Sequence, residues 1–283
     1  MILFKKINDL HNYLDDQQRK NFKIGFVPTM GALHAGHISL INTSKKENEI
    51  TLCSIFVNPT QFNDKKDFEK YPSSIESDIY SLESNGCDIL FLPDSNEVYP
   101  DGFVPKPNYD LGYLETLLEG KFRPGHFQGV CMVMHKLLDI VKPINLYLGQ
   151  KDYQQCMVIK RLVGIMGQKD KINIIICPTL REPDGLAMSS RNMRLAETER
   201  KKASAIYQSL NFIRKNIALG KLYDLKNQAS SILTENGFEI DYVEIADADL
   251  LEIINEWDGK RKLVAVIAAF INEVRLIDNL LLN

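Results

Sequence analysis

Two histidines spaced H-x-G-H, His34 and His37, stand where an apolar run breaks. Residues 24–40 read IGFVPTMGALHAGHISL. Residues 24–27 have the composition of a buried strand, Pro28-Thr29-Met30-Gly31 that of a turn, and the residues from Ile38 that of a helix. Positions three apart share one helix face. A helix N-terminus offers unpaired N–H groups and partial positive charge to an anion. Two imidazoles added to that end suit a triphosphate, and they can hydrogen-bond the charge that builds when a phosphoryl group is attacked. Surface or capping histidines are the simpler reading of either residue alone. The strand–turn–helix setting, with Gly36 letting a backbone approach closely, favours a nucleotide-using enzyme.

Four further stretches carry residues of chemical interest. GQKDYQQ (149–155) opens a second strand-to-helix turn, where Lys151 supplies a mobile cation, Asp152 can cap the helix and Gln155 lies about one turn in. An ordinary capped loop is its plainer reading. DGLAMSSRN (184–192) offers the hydroxyls of Ser189 and Ser190 and the bidentate fork of Arg191; it is either a polar linker or a loop able to close over a polyphosphate. SIFVNPTQF (54–62) places the uncharged amides of Asn58 and Gln61 after a core strand, suited to hydroxyls and carboxylates, or to turn chemistry alone. LEGKFRPGHFQGV (118–130) gathers Arg123, His126 and Gln128 before an apolar helix, to bind an anion or to anchor that helix. His11 and His135 read as structural or exposed, and the Met132/Met134 stripe as core.

These stretches need a frame. Short apolar runs at 24–27, 51–57, 88–92, 146–148 and 172–177 read as buried parallel strands, with helices between them at 38–48, 74–85, 129–141 and 153–166. That alternation predicts an α/β fold with a doubly wound, Rossmann-like parallel sheet, whose ligands lie beyond the C-terminal strand ends. Past Pro178 the pattern changes. Polar-faced helices at 197–219 and 222–236 precede apolar or alternating runs at 240–245, 263–271 and 273–278. The expected organisation is a Rossmann-like domain of residues 1–178 and a smaller C-terminal α+β domain of residues 179–283. Residues 181–194 join them, and 93–108 read as a Pro-rich surface loop.

Composition narrows the classes. The chain has 283 residues and a formal net charge of −3, which argues against a nucleic-acid-binding surface. The start MILFKKINDLHNYLDD is not a signal peptide, and the longest uncharged apolar run, 263–271, falls far short of the roughly 20 residues that span a bilayer, so no membrane role is expected. The five cysteines are scattered without a C-x-x-C pair, which favours reduced core thiols in a cytoplasmic protein.

Taken in order, PTMGALHAGH, SIFVNPTQF, EGKFRPGHFQGV, LGQKDYQQ and DGLAMSSRN resemble the pantothenate synthetase (pantoate–β-alanine ligase) family over nearly the whole chain. H-x-G-H alone indicates only the wider nucleotidylyltransferase group, shared with class I aminoacyl-tRNA synthetases. MSSRN is similar in place to the KMSKS loop of those synthetases, without its lysines. The resemblance implies ATP-dependent joining of pantoate and β-alanine through a pantoyl-adenylate, with Mg2+, in a homodimer. It implies that the domain of residues 1–178 binds ATP and pantoate and that the domain of residues 179–283 closes over the active site. It implies that ATP is lined by Met30, Gly31, Ala32, Leu33, His34, Ala35, Gly36 and His37, with both histidines on the phosphates. It places Gly149, Gln150, Lys151 and Asp152 at the ribose and α-phosphate, and Leu180 at the adenine through its backbone. Leu186, Ala187, Met188, Ser189, Ser190 and Arg191 would close over the β- and γ-phosphates. Gln61 and Gln155 would hold pantoate, and Gln61 and Asn58 would border the amine site. His37, His34, Lys151 and Arg191 are the expected catalytic groups. Family members often carry adjacent acids after the Tyr-Pro step; Ser77-Asp78 stands here, a departure that counts against Asp78 as a magnesium ligand. A transferase that leaves AMP on a phosphate, a regulatory nucleotide sensor and a truncated tRNA synthetase are the rival readings.

Overall fold

The computed structural model describes residues 1–62, 68–72, 74–102 and 108–283. Part of the expected Pro-rich loop, 103–107, lies outside the described residues. Six parallel strands form one sheet: β1 (Ile2–Phe4), β2 (Ile24–Thr29), β3 (Ile50–Ile55), β4 (Ile89–Phe91), β5 (Asn145–Gly149) and β6 (Asn173–Cys177). Their order is β1-β4-β3-β2-β5-β6. Helices Ile7–Arg19, Ala35–Glu47, Ile75–Ser84, His126–Val141 and Tyr153–Ile165 alternate with them. This is the expected doubly wound α/β arrangement. A strand covered on both faces must be apolar throughout rather than alternating, and every residue of β3 is buried.

The strand order sets where a ligand can bind. From β2 the chain adds β3 and β4 on one side, then returns to place β5 and β6 on the other. The order therefore reverses between β2 and β5, where the crevice of such a sheet opens beyond the carboxyl ends. Gly25 pairs with Asn145 and Phe26 with Leu146. The same register carries Thr29 level with Gly149, so the H-x-G-H segment and residue 149 leave the sheet from neighbouring strands at one height.

The chain divides into two compact units, Met1–Gly149 with Gln155–Pro178, and Gln150–Gln154 with Thr179–Asn283. The second unit carries an antiparallel sheet of β8 (Glu239–Asp247), β10 (Leu263–Ile271) and β11 (Val274–Leu281) in the order β11-β10-β8. Alternate residues of β10, namely Leu263, Ala265, Ile267, Ala269 and Ile271, form one core with Ile206, Leu210 and Ile213 of helix Ala205–Asn216 and with Ala229 and Leu233 of helix Tyr223–Glu235. That is the period-two pattern of a strand with one face on helices. Two short strands, β7 (Gly220–Lys221) and β9 (Glu256–Trp257), pair antiparallel.

Three elements differ from expectation. Strand β1 and helix Ile7–Arg19 were not read from the sequence: Ile2 and Leu3 are exposed on a three-residue edge strand, and the helix has no side-chain cap to mark its start. The helix expected at 129–141 begins at His126, because Gly125 takes a left-handed φ of 79° and starts it early. His126 and Gln128 therefore lie within its first turn rather than ahead of it. The helix expected at 197–219 is two, Glu197–Ala203 and Ala205–Asn216, parted at Ser204, and residues past Asn216 leave the helix through extended Ile217. Among the described residues, no helix is long and apolar enough to cross a membrane.

Candidate active site

His34 caps the Ala35–Glu47 helix from an extended backbone (φ −134°, ψ 174°), and its Nδ1 accepts the Gly36 N–H at 3.1 Å. His37, one turn in, accepts the His34 N–H at its own Nδ1, 3.3 Å away. The rings lie 4.0 Å apart between centroids, tilted by 37°. A ring nitrogen that accepts from an amide carries no proton, so each neutral imidazole holds its proton on Nε2. In that tautomer both rings carry an Nε2–H donor at the positive end of the helix, an arrangement suited to an anion.

The turn feeding that helix is fixed from outside. Ala32 sits at the left-handed φ of 49° after Gly31 at 82°. Asp78, buried on helix Ile75–Ser84, accepts the Ala32 N–H at 2.9 Å with Oδ2 and the Leu33 N–H at 2.8 Å with Oδ1; the Ser74 hydroxyl donates to Oδ1 as well, at 3.1 Å. Both carboxylate oxygens are engaged. Among the described residues, no group of three or more His, Cys, Asp or Glu is placed to hold a metal ion. Asp78 anchors the 31–33 turn.

Gln61 ends a short 3-10 turn, Pro59–Gln61, that follows β3. Its Nε2 lies 2.9 Å from the Met30 sulfur. Asn58 is wholly buried, and its amide is taken up within the protein. Nδ2 donates to the Gly129 carbonyl at 3.1 Å and to Gln61 Oε1 at 3.3 Å, while Oδ1 accepts from the Tyr99 and Thr60 hydroxyls, each at 3.0 Å. Gly129 allows the close fit, since a Cβ there would stand 2.2 Å from the Thr60 carbonyl oxygen. His126 closes the other side: Nδ1 is 2.7 Å from the Gln61 carbonyl oxygen and Nε2 is 3.1 Å from the Arg123 guanidinium. A carbonyl only accepts and a guanidinium only donates, so His126 holds its proton on Nδ1. Glu119 in turn pairs with Arg123 at 3.5 Å. Gln155, half-buried, lies in the first turn of helix Tyr153–Ile165.

The second unit holds the other expected groups. Gln150, Lys151 and Asp152 form a 3-10 turn. Asn279 of β11 donates through Nδ2 to the Gln150 and Lys151 carbonyls at 2.9 and 2.8 Å and accepts the Gln150 side-chain amide at 3.1 Å. Arg181 bridges to Ala187 across a hairpin in which the Met188 N–H meets the exposed Leu180's carbonyl at 3.0 Å. Gly185 lies inside that hairpin at φ 91°, and a Cβ there would strike the Tyr207 ring at 1.9 Å. Ser189 caps the short helix Ser190–Arg194 by accepting the Arg191 N–H at 3.2 Å.

Residues 2–281 match the family model described as pantoate-beta-alanine ligase. The chain belongs to the pantoate–β-alanine ligase family. The pantothenate synthetase of Cytophaga hutchinsonii is 47% identical over 285 residues, covering 100% of this chain and 99% of that protein. That of Bacteroides fragilis is 43% identical, covering 99% and 98%. Among solved structures, the pantothenate synthetase of Thermus thermophilus matches with a TM-score of 0.90 at 36% identity over 99% of both chains. The pantoate-beta-alanine ligase of Francisella tularensis, complexed with beta-gamma ATP and beta-alanine, matches at 0.81 with 41% identity over 99% of this chain and 97% of that one.

In this pantoate–β-alanine ligase family member the sequence pointed to residues whose types can do chemistry and passed over those that hold the turns around them. Asp78 was considered only for a metal, and Arg181, Asp278 and Asn279 were not singled out. A signal for the last two existed: a polar Asp-Asn pair interrupts the apolar alternation of residues 274–281.

Proposed function

We propose that this chain joins (R)-pantoate to β-alanine with ATP, through a pantoyl-adenylate, releasing pyrophosphate and AMP. The observation that carries the reading is the paired-imidazole turn at the point where the strand order reverses, in a chain similar over its full length to pantothenate synthetases. The Francisella relative, complexed with beta-gamma ATP and beta-alanine, supports two of the three substrates.

A carboxylate oxygen is a poor leaving group. In the first step the pantoate carboxylate attacks the α-phosphorus of ATP, the bond to the bridging oxygen of pyrophosphate breaks, and pyrophosphate leaves in line. In the second, the β-alanine amine attacks the acyl carbon, the bond to the AMP oxygen breaks, and the amine proton is lost to solvent or base. No protein nucleophile is needed, so positioning and charge stabilisation carry the rate. Nε2–H donors from His34 and His37 serve the charge developing at the α-phosphate, with Lys151 as a mobile cation. Met30, Gly31, Ala32, Leu33, Ala35 and Gly36 line the nucleotide, Gly149, Gln150 and Asp152 the ribose side, and Leu180 the adenine. Leu186, Ala187, Met188, Ser189, Ser190 and Arg191 hold the departing pyrophosphate. Gln61 and Gln155 hold pantoate. A thioether is a weak acceptor, so the Gln61 amide gains when a pantoate oxygen replaces the Met30 sulfur. Asn58 acts through Gln61.

Mg2+ belongs with the nucleotide's phosphates in this reading, since Asp78 is taken up by backbone amides. A cytoplasmic location is proposed on the five cysteines, all buried and none in a disulfide. A homodimer is proposed on edge strand β6, whose Ile174, Ile175 and Ile176 are only half-buried beside exposed Ile144. An apolar sheet edge is a surface that a second copy would cover.

The test is product analysis. AMP formation that requires both pantoate and β-alanine, with pantothenate formed in equal amount, supports the ligase. Retention of the adenylyl group on a phosphate-containing acceptor, or ATP binding without turnover, overturns it.

A further inference from the structure

Two adjacent residues of β11 hold two separate loops of the second unit. Asn279 has both its amide hydrogens on the carbonyls of Gln150 and Lys151, and its oxygen on the Gln150 side chain. Asp278, one residue earlier, grips Arg181 with both oxygens, at 2.6 and 3.1 Å. Arg181 is the base of the hairpin that leads to the Ser-Ser-Arg segment, and it also donates to the Gly185 carbonyl at 3.0 Å and the Asn279 carbonyl at 3.1 Å. Its guanidinium lies 4.3 Å over the Tyr207 ring. The backbone N–H of Asn279 donates to Asp278 Oδ1 at 2.8 Å, which ties the Asp278 carboxylate to the strand at the residue that holds the other loop. Asp278 and Asn279 are 4% and 2% exposed, so each of these polar groups has been withdrawn from water and must be matched where it lies.

The chemistry of this cluster is selective. A plain packing contact would ask for apolar side chains on β11. Here a buried Asp and a buried Asn stand side by side, and each meets its partner at more than one atom. Paired hydrogen bonds fix direction as well as distance. The two loops so fixed are those that carry Lys151 and Arg191.

We propose that Asp278 and Asn279 are positioning residues that set the Lys151 turn and the 181–191 hairpin in one frame for the ATP phosphates. The proposal rests on the ligase reading above, in which those two loops handle the triphosphate. Neither residue is a catalytic residue, since each acts through backbone or through Arg181.

The experiment is a double-mutant cycle on the adenylation half-reaction, measured as pantoate-dependent exchange of pyrophosphate into ATP. Asn279→Asp keeps the shape of the side chain and turns an oxygen toward two carbonyls in place of two N–H groups. In the otherwise unchanged chain it should slow exchange by about 10²-fold, the loss that follows when a reacting group is misplaced by about 1 Å. In a Lys151→Ala background it should slow exchange by no more than about threefold, because the group it places is gone. Equal losses in both backgrounds would mean that Asn279 only supports the fold, and the proposal would be overturned. If Lys151→Ala alone leaves exchange unchanged, it is the assignment of Lys151 that fails, and the two failures are thereby told apart. Should Asn279→Asp not fold, Arg181→Lys tests the same frame through Asp278. It keeps the charge and loses the fork, and it should raise KM for ATP while leaving KM for β-alanine unchanged. Unaltered KM for ATP in that variant would overturn the proposal.

Discussion

Asp78 holds Leu33 in place: its Oδ1 accepts the Leu33 backbone N–H at 2.8 Å, one residue before the histidine that caps the Ala35–Glu47 helix. The other oxygen does the same for Ala32 at 2.9 Å. Because Ala32 occupies a left-handed conformation that L-residues adopt at a cost, the turn needs such an outside tie.

Asp78→Asn replaces one accepting oxygen by a donor that faces an N–H. It should destabilise the protein by about 1–3 kcal/mol, the usual cost of leaving a buried polar group unmatched. Turnover should fall with it, and raising Mg2+ should not restore turnover. Denaturant melts and a magnesium titration of kcat check both parts. Recovery at high Mg2+ would return Asp78 to the metal.

His37→Ala removes one of the two Nε2–H donors. kcat should drop by about 10²–10³, as for the loss of a single donor to developing charge. Steady-state AMP release measures it. Each histidine also accepts one backbone N–H of the reciprocal cap, so His34→Ala and His37→Ala should both lower the melting temperature.

His126→Ala cuts the link to the Gln61 carbonyl and removes one of the acceptors on Arg123. The effect should fall on the acid substrate: kcat/KM for pantoate down by about 10- to 100-fold, with KM for ATP unchanged. A rise in KM for ATP alone would place His126 elsewhere in the reaction.

The cysteines should resist modification in the folded state. Burial pushes the Cys87 thiol up to about 11 and the Cys131 thiol up to about 12, and raises Cys53 and Cys177. At pH 8 about one Cys87 in a thousand is then thiolate, the form that reacts. Thiol titration should give almost no fast reaction natively and five equivalents after denaturation.

Asp184 and Arg200 tie the hairpin to helix Glu197–Ala203 at 2.5 Å, and the hydrogen bond to Arg200 holds the Asp184 carboxyl below its ordinary value. A lowered carboxyl contributes stability above its unfolded value near 3.9 and loses it as pH falls through the folded value. Asp184→Asn should therefore be slightly less stable than the parent at pH 7, and equal to it in strong acid. The pair is partly exposed, so the gap should be small and should shrink with salt. Thermal melts across pH read it out.

The sequence by itself determined the local statements. Apolar runs at 24–27, 51–57, 88–92, 146–148 and 172–177 read as covered strands, and their alternation with helices predicted the doubly wound sheet that forms. His34 and His37 stood out as candidates because two imidazoles after a strand end have few structural uses, whereas Lys151 and Arg191 rested on the family resemblance. Tertiary structure alone decided which partners they would have. Asp78 meets Leu33 across 45 positions and Asn279 meets Lys151 across 128, and no periodicity within a window of a dozen residues can record such pairs. Strand β1 was invisible for the same reason, since Ile2–Phe4 becomes a strand only by pairing with β4 at Ile89–Phe91. Hydrophobic period is written along the chain, whereas the matching of buried polar groups is settled only when distant segments are folded together and each donor must find its acceptor out of reach of water.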